Sequence, residues 1–153
     1  MASSDGSLTQ AEIYLFLDPR PVAEKNIIKM VDKSLEGLKL PDFDVPADAA
    51  GTDARNLIEK LAVTADKVLS QGLLTMEFHL EEAGLDSAAA EILTDVGEGV
   101  DPGEIIEGIT QKIGSGRIPP EEQYRTMLSL YGGLLIAYGY QGEVLRIYLG
   151  QFV

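Results

Sequence analysis

Residues Tyr131 to Gly150, YGGLLIAYGYQGEVLRIYLG, constrain the fold of this chain more than any other stretch. They admit three structures: a membrane span, a β-hairpin turning at Gln141-Gly142, or two helices meeting at Gly139. A span needs about 20 predominantly apolar residues. The longest run without a charge is Thr126 to Gly142, 17 residues, and it contains four glycines and three tyrosines. Only Arg125 and Arg146 flank it, so no basic cluster marks a membrane boundary. The span is therefore disfavoured.

The helical reading starts upstream. Pro120 suits a first helical position, and Glu121 and Glu122 complement the helix dipole in the first turn. Gly132 and Gly133 each cost about 1 kcal/mol relative to Ala inside a helix. They also let a neighbouring helix approach closely. A continuing helix puts Leu128, Tyr131, Leu135 and Tyr138 on one side, with Gly139 as a left-handed terminator. A second helix from Gly142 turns Val144, Leu145, Tyr148 and Leu149 inward. A hairpin pairing residues 134–140 with 143–149 stays open, since Tyr, Ile and Val favour strands. Gln-Gly is a poorer hairpin turn than Asn-Gly, and the helix pair is preferred.

Leu128, Tyr131-Gly132, Leu135, Val144 and Tyr148 have a spacing that resembles one tetratricopeptide unit. The resemblance covers residues 125–152. Such units need about three neighbours for stability, and no second copy is visible. What it implies is helix-pair geometry.

The rest of the chain is punctuated in the same way. Ser7 or Thr9 can cap a helix over SLTQAEIYLFL, although Ile13 to Leu17 also suits a strand. Residues 1–7 read as a frayed tail. In DPRP, Asp18 is a cap and Pro19 a first helical residue, with Pro21 still in the first turn. Val22, Ile27, Ile28, Val31, Leu35 and Leu38 then mark an apolar face, with Lys25, Lys29, Asp32, Lys33 and Glu36 off it. Gly37 and Pro41 end that helix. Residues 40–51, LPDFDVPADAAG, read as a surface loop whose Phe43 and Val45 either fold back or serve a partner.

Thr52 or Asp53 opens the most regular helix, with Leu57, Ile58, Leu61, Ala62, Ala65, Val68 and Leu69 inward and Gly72 as its stop. LLTMEFHLEEAG is a short helix ending near Gly84, or a strand around Thr75 to Leu80. Asp86 and Gly97 bound the next helix. Asp101, Pro102 and Gly114 bound another. The expected fold is mainly α, a compact bundle of six to eight short helices in one domain, residues 1–153, with the C-terminal hairpin as the alternative.

Charge is unevenly spread. The chain carries 25 acids against 12 Lys and Arg, a net charge of −13. Residues 68–111 hold ten acids and no Lys or Arg, so this segment supplies −10 of that total. Such a balance repels nucleic acid and anionic membranes. The chain has no Cys, which excludes disulfides and thiolate chemistry. MASSDGSLTQ shows no secretory signal, and the cytoplasm is the default compartment.

No catalytic pattern emerges. His79 lacks the spacing of His-Glu-x-x-His or a paired Glu-x-x-His. No serine sits in a nucleophile elbow. GSG at 114–116 lacks the Lys of a phosphate loop, and DVGEGVDPGE lacks a calcium loop's Asp-x-Asp-x-Asp-Gly. Two surfaces remain as candidates for partner binding. One is an acidic face of Glu91, Asp95, Glu98, Asp101, Glu104 and Glu107. The other is a C-terminal aromatic face of Tyr131, Tyr138, Tyr140 and Tyr148, since Tyr buries large area and keeps a polar tip.

The function expected is a non-catalytic, acidic protein–protein interaction module: an adaptor, chaperone-like factor, inhibitor or assembly component. The alternative is an accessory subunit of a multi-subunit enzyme, or an enzyme using carboxylates and a metal. The expected partner is a basic protein or a second copy of the chain, with no cofactor, no direct nucleic-acid binding and no membrane.

Overall fold

A computed structural model describes residues 21–43 and 52–153. The chain divides into two compact units, Met1–Glu36 and Gly37–Val153. The described residues form seven α-helices and no strand.

The first unit contributes α1, Val22–Leu35. Ile28, Val31 and Leu35 are buried at the spacing of an amphipathic helix. Two details differ from expectation. Pro21 lies outside the first turn: it is the N-cap, with ψ 145°, and its carbonyl accepts from the Lys25 amide. Lys25 is buried, whereas Val22 at the exposed first position is open to solvent. The proposed roles of Ser7, Thr9, Asp18 and Pro19, the strand alternative at 13–17, and Val45 lie outside the described residues.

The second unit runs α2 (Thr52–Gln71), a 3₁₀ turn (Leu73–Thr75), α3 (Met76–Ala83), α4 (Ser87–Gly97), α5 (Pro102–Gly114), α6 (Pro120–Ala137) and α7 (Gly142–Gly150). The punctuation acts as physical chemistry requires. Asp86 Oδ1 accepts from the Ala89 amide, and Asp101 Oδ2 accepts from the Gly103 amide ahead of Pro102 at the start of α5. Gly84 ends α3 in the left-handed region, at φ 63° and ψ 41°.

Twelve of the 18 residues of α6 are buried, which makes it the central helix. It packs against α2, α4, α5 and α7. Its two adjacent glycines face different neighbours. A Cβ on Gly132 would lie 3.0 Å from Leu61 Cδ1 of α2, and one on Gly133 would lie 2.8 Å from Ile92 Cγ2 of α4. Their loss of helix propensity is thus exchanged for close packing on two sides.

Residues 134–140 and 143–149 do not pair as strands. The chain leaves α6 through Tyr138 and turns at Gly139, φ 82°, into α7. Val144, Leu145, Tyr148 and Leu149 are all buried. Among the described residues no helix is long and apolar enough to cross a membrane. The stretch from Thr75 to Leu80 is also helical rather than extended, because Gly72 at φ 99° turns the chain into the 3₁₀ turn that leads into α3. Leu69, expected inside α2, is 55% exposed at its last turn.

Candidate functional site

Helices α4 and α5 and the start of α6 enclose a groove of about 480 Å³. Ile92, Val100, Ile105, Ile109 and Ile118 form its apolar lining. Glu91, Asp95, Glu104 and Glu122 line it as acids, and Lys112 and Arg117 as bases. Glu91 Oε1 accepts from Lys112 Nζ at 2.8 Å across the groove. Three of the six acids expected on one face, Glu91, Asp95 and Glu104, therefore meet in one groove.

The other three are placed elsewhere. Glu98 lines a different hollow with Leu73, Leu74 and Glu77. Asp101 spends a carboxylate oxygen on capping α5. Glu107 is exposed on α5. Among the described residues, Glu77, Glu98, Glu104 and Glu107 form no ion pair, so their charge is not locally neutralised.

Asp86 stands beside the groove and serves two helices. Its Oδ1 caps α4, while its Oδ2 accepts from Arg125 Nη2 of α6 at 2.8 Å and from Arg125 Nε at 3.0 Å. Burial opposes its ionisation, but the Ala89 amide and the Arg125 guanidinium outweigh burial and hold the carboxyl below the ordinary aspartate range. From α7, the Arg146 guanidinium donates to both oxygens of Glu59 on α2 and lowers that carboxyl's pKa. This fork ties α7 to α2.

The four tyrosines of the expected aromatic face separate into two groups. Tyr131 and Tyr148 meet edge-on at 6.4 Å, and Phe152 stacks on Tyr131 at 5.6 Å. Phe43 folds back onto Tyr131, 6.5 Å away. Tyr124 donates from its hydroxyl to the Phe152 carbonyl at 2.7 Å, and burial raises its pKa. This cluster anchors the C-terminal residues. Tyr138 and Tyr140 lie at the α6–α7 turn, where Tyr138 is 42% exposed. Tyr140 lines a hollow of about 220 Å³ with Leu69 and Leu73.

That hollow leads to a surface not anticipated from sequence. Leu74 is 90% exposed and Phe78 is 74% exposed, one helical turn further along. In LLTMEFHL, alternation of apolar and polar letters gives no hint of which apolar residues face water. The only available signal was an excess of large apolar residues over the inward positions of a short helix.

His79, by contrast, is buried, and neither ring nitrogen has a hydrogen-bond partner among the described residues. Among the described residues no three His, Asp or Glu side chains are grouped to hold a metal ion. No protein family, curated protein or solved structure matches this chain. Residues 125–152 thus hold a helix pair, α6 and α7, and no comparison supports a tetratricopeptide family for them.

Proposed function

We propose that this chain is a non-catalytic module that binds a basic protein partner through its acidic α4–α5 side. One observation carries this reading. Residues 68–111 hold ten acids and no Lys or Arg, and three of those acids converge on an open groove with an isoleucine-rich floor. A groove of that kind offers apolar contact for affinity and negative charge for orientation and on-rate. Lys112 and Arg117 in its lining add polar specificity.

The test is paired capture from the native lysate. One bait is the wild-type chain and the other carries Glu91→Gln, Asp95→Asn and Glu104→Gln. The partner is expected on the wild-type bait at about 50 mM salt, to elute by about 500 mM, and to be depleted on the variant. A partner held equally by both baits at every salt concentration rejects the reading.

A further inference from the structure

Leu69, Leu73, Leu74 and Phe78 present large apolar side chains to solvent along the end of α2, the 3₁₀ turn and α3. Leu73 divides two adjacent hollows of about 220 and 240 Å³. The first is lined by Leu69 and Tyr140, the second by Leu74, Met76, Glu77 and Glu98. The floor of the second is set by the close approach of Gly97: a Cβ there would lie 2.6 Å from Met76 Cβ and 3.3 Å from the Leu73 carbonyl oxygen. Only glycine lets the end of α4 come so close to this turn. The strip is separate from the α4–α5–α6 groove, which shares none of these residues.

Scattered exposed apolar residues are ordinary, but a contiguous strip beside preformed hollows marks an interaction surface. Its electrostatics select the occupant. Glu77 and Glu98 border the second hollow and form no ion pair among the described residues. No Lys or Arg occurs between residues 68 and 111 to offset them. We infer that the strip receives a basic amphipathic helix of a protein partner, its apolar residues seated on either side of Leu73 and its Lys or Arg residues over Glu77 and Glu98. This is helix-in-groove recognition, with apolar anchors for affinity and complementary charge for register. The inference rests on the reading of the chain as a binder of basic proteins, and adds a second, apolar element to it.

The test uses the full chain and three synthetic peptides. One is an amphipathic Leu/Lys helix, the second its scrambled counterpart without an apolar stripe, and the third a Leu/Glu helix of the same pattern. The Leu/Lys helix is expected to bind at least about tenfold more tightly than either control. Leu74→Ser with Phe78→Ser removes at least about tenfold of that affinity, whereas Asp53→Asn with Glu143→Gln, exposed acids that line neither the groove nor the strip, changes it less than about threefold. Both substituted leucine and phenylalanine side chains are exposed, and an unchanged circular-dichroism melt confirms folding of the double variant.

Equal binding by the scrambled peptide means charge alone and overturns the inference. Equal binding by the Leu/Glu helix overturns the charge complementarity. A wild-type dimer in light scattering that the double variant dissociates assigns the strip to a second copy and also overturns it. So does strip-dependent binding to phosphatidylcholine vesicles in preference to the Leu/Lys helix. If lysate capture depends on the groove acids while the Leu/Lys helix fails to bind, this inference falls and the proposed function stands.

Discussion

The Asp66 carboxylate of α2 accepts a hydrogen bond from the Gly142 amide at 2.7 Å and so caps α7 from another helix. Gln141, the residue in the N-cap position, makes no side-chain cap of its own. The arrangement requires glycine at 142. A Cβ there would lie 2.4 Å from the Ala62 carbonyl oxygen and 2.6 Å from Asp66 Oδ2. Helix start, helix packing and residue identity are thus one constraint. Asp66→Ala should cost about 1 kcal/mol, the usual value of a lost cap. Gly142→Ala should cost more, about 3 kcal/mol, because the obstacle is backbone and cannot rotate away. Urea denaturation of the two variants gives both numbers, and an Asp66→Ala loss equal to or greater than that of Gly142→Ala contradicts this account.

Glycine to alanine should change sign along the chain. At Gly108 in α5 nothing among the described residues lies within 4 Å of the added carbon, so Ala brings its propensity gain of about 0.5–1 kcal/mol without penalty. At Gly133 the same gain opposes a 2.8 Å approach to Ile92 Cγ2 between two packed helices, and the net should be a loss of about 1–2 kcal/mol. Gly132 meets the far end of Leu61, which can shift, and Ala there should be close to neutral. Melting temperatures of the three single variants are sufficient to check the order.

These comparisons show what was readable beforehand. Helix ends were legible because their causes are local: Asp86, Asp101 with Pro102, Gly84 and Gly139 act within a few residues of themselves. The closeness allowed by Gly132 and Gly133 was also legible, as was the inward set of α7. The Asp66 cap was not, because its partner lies 76 residues away. Nor was the exposure of Leu69, Leu74 and Phe78, since periodicity gives the width of an apolar face but not which part a neighbour covers. Of the candidate sites, the acid-rich segment was visible by counting. Its division between a groove, a helix cap and a second hollow depends on the angles at which α3, α4 and α5 meet.

The three hydrogen bonds of Asp86, one within α4 and two from α6, predict an acid-sensitive link between α4 and α6. Its folded pKa lies below the ordinary value, so the folded state binds a proton less readily than the unfolded chain. The stabilisation is complete at neutral pH. It begins to fade as pH falls below the ordinary aspartate range and is lost once pH passes the folded value. Asp86→Ala should cost about 1–2 kcal/mol at pH 7, mostly the cap, because the ion pair is partly exposed and screened. Asp86→Asn retains an acceptor for the Ala89 amide and should cost less. The gap between wild type and Asp86→Ala should narrow steadily below about pH 4. A gap that stays constant down to pH 2 would mean that ionisation of Asp86 contributes nothing.

Two buried polar side chains should improve the fold when an apolar side chain that leaves little void takes their place. Ser129 in α6 is fully buried, and its hydroxyl has no hydrogen-bond partner among the described residues. His79 in α3 is 7% exposed, with both ring nitrogens unpartnered among the described residues. An unsatisfied buried polar group costs about 1–3 kcal/mol, whereas an apolar replacement of similar size recovers part of that. Ser129→Ala also gains helix propensity and leaves only a small void, so it should stabilise by about 0.5–1 kcal/mol. His79→Leu should stabilise by about 1 kcal/mol, while His79→Ala should destabilise, because the cavity left by the ring outweighs the recovered desolvation. The opposite signs at one position are the discriminating result. If His79→Leu is as damaging as His79→Ala in urea denaturation, the imidazole has a polar partner in solution and the cost assigned to its burial is wrong.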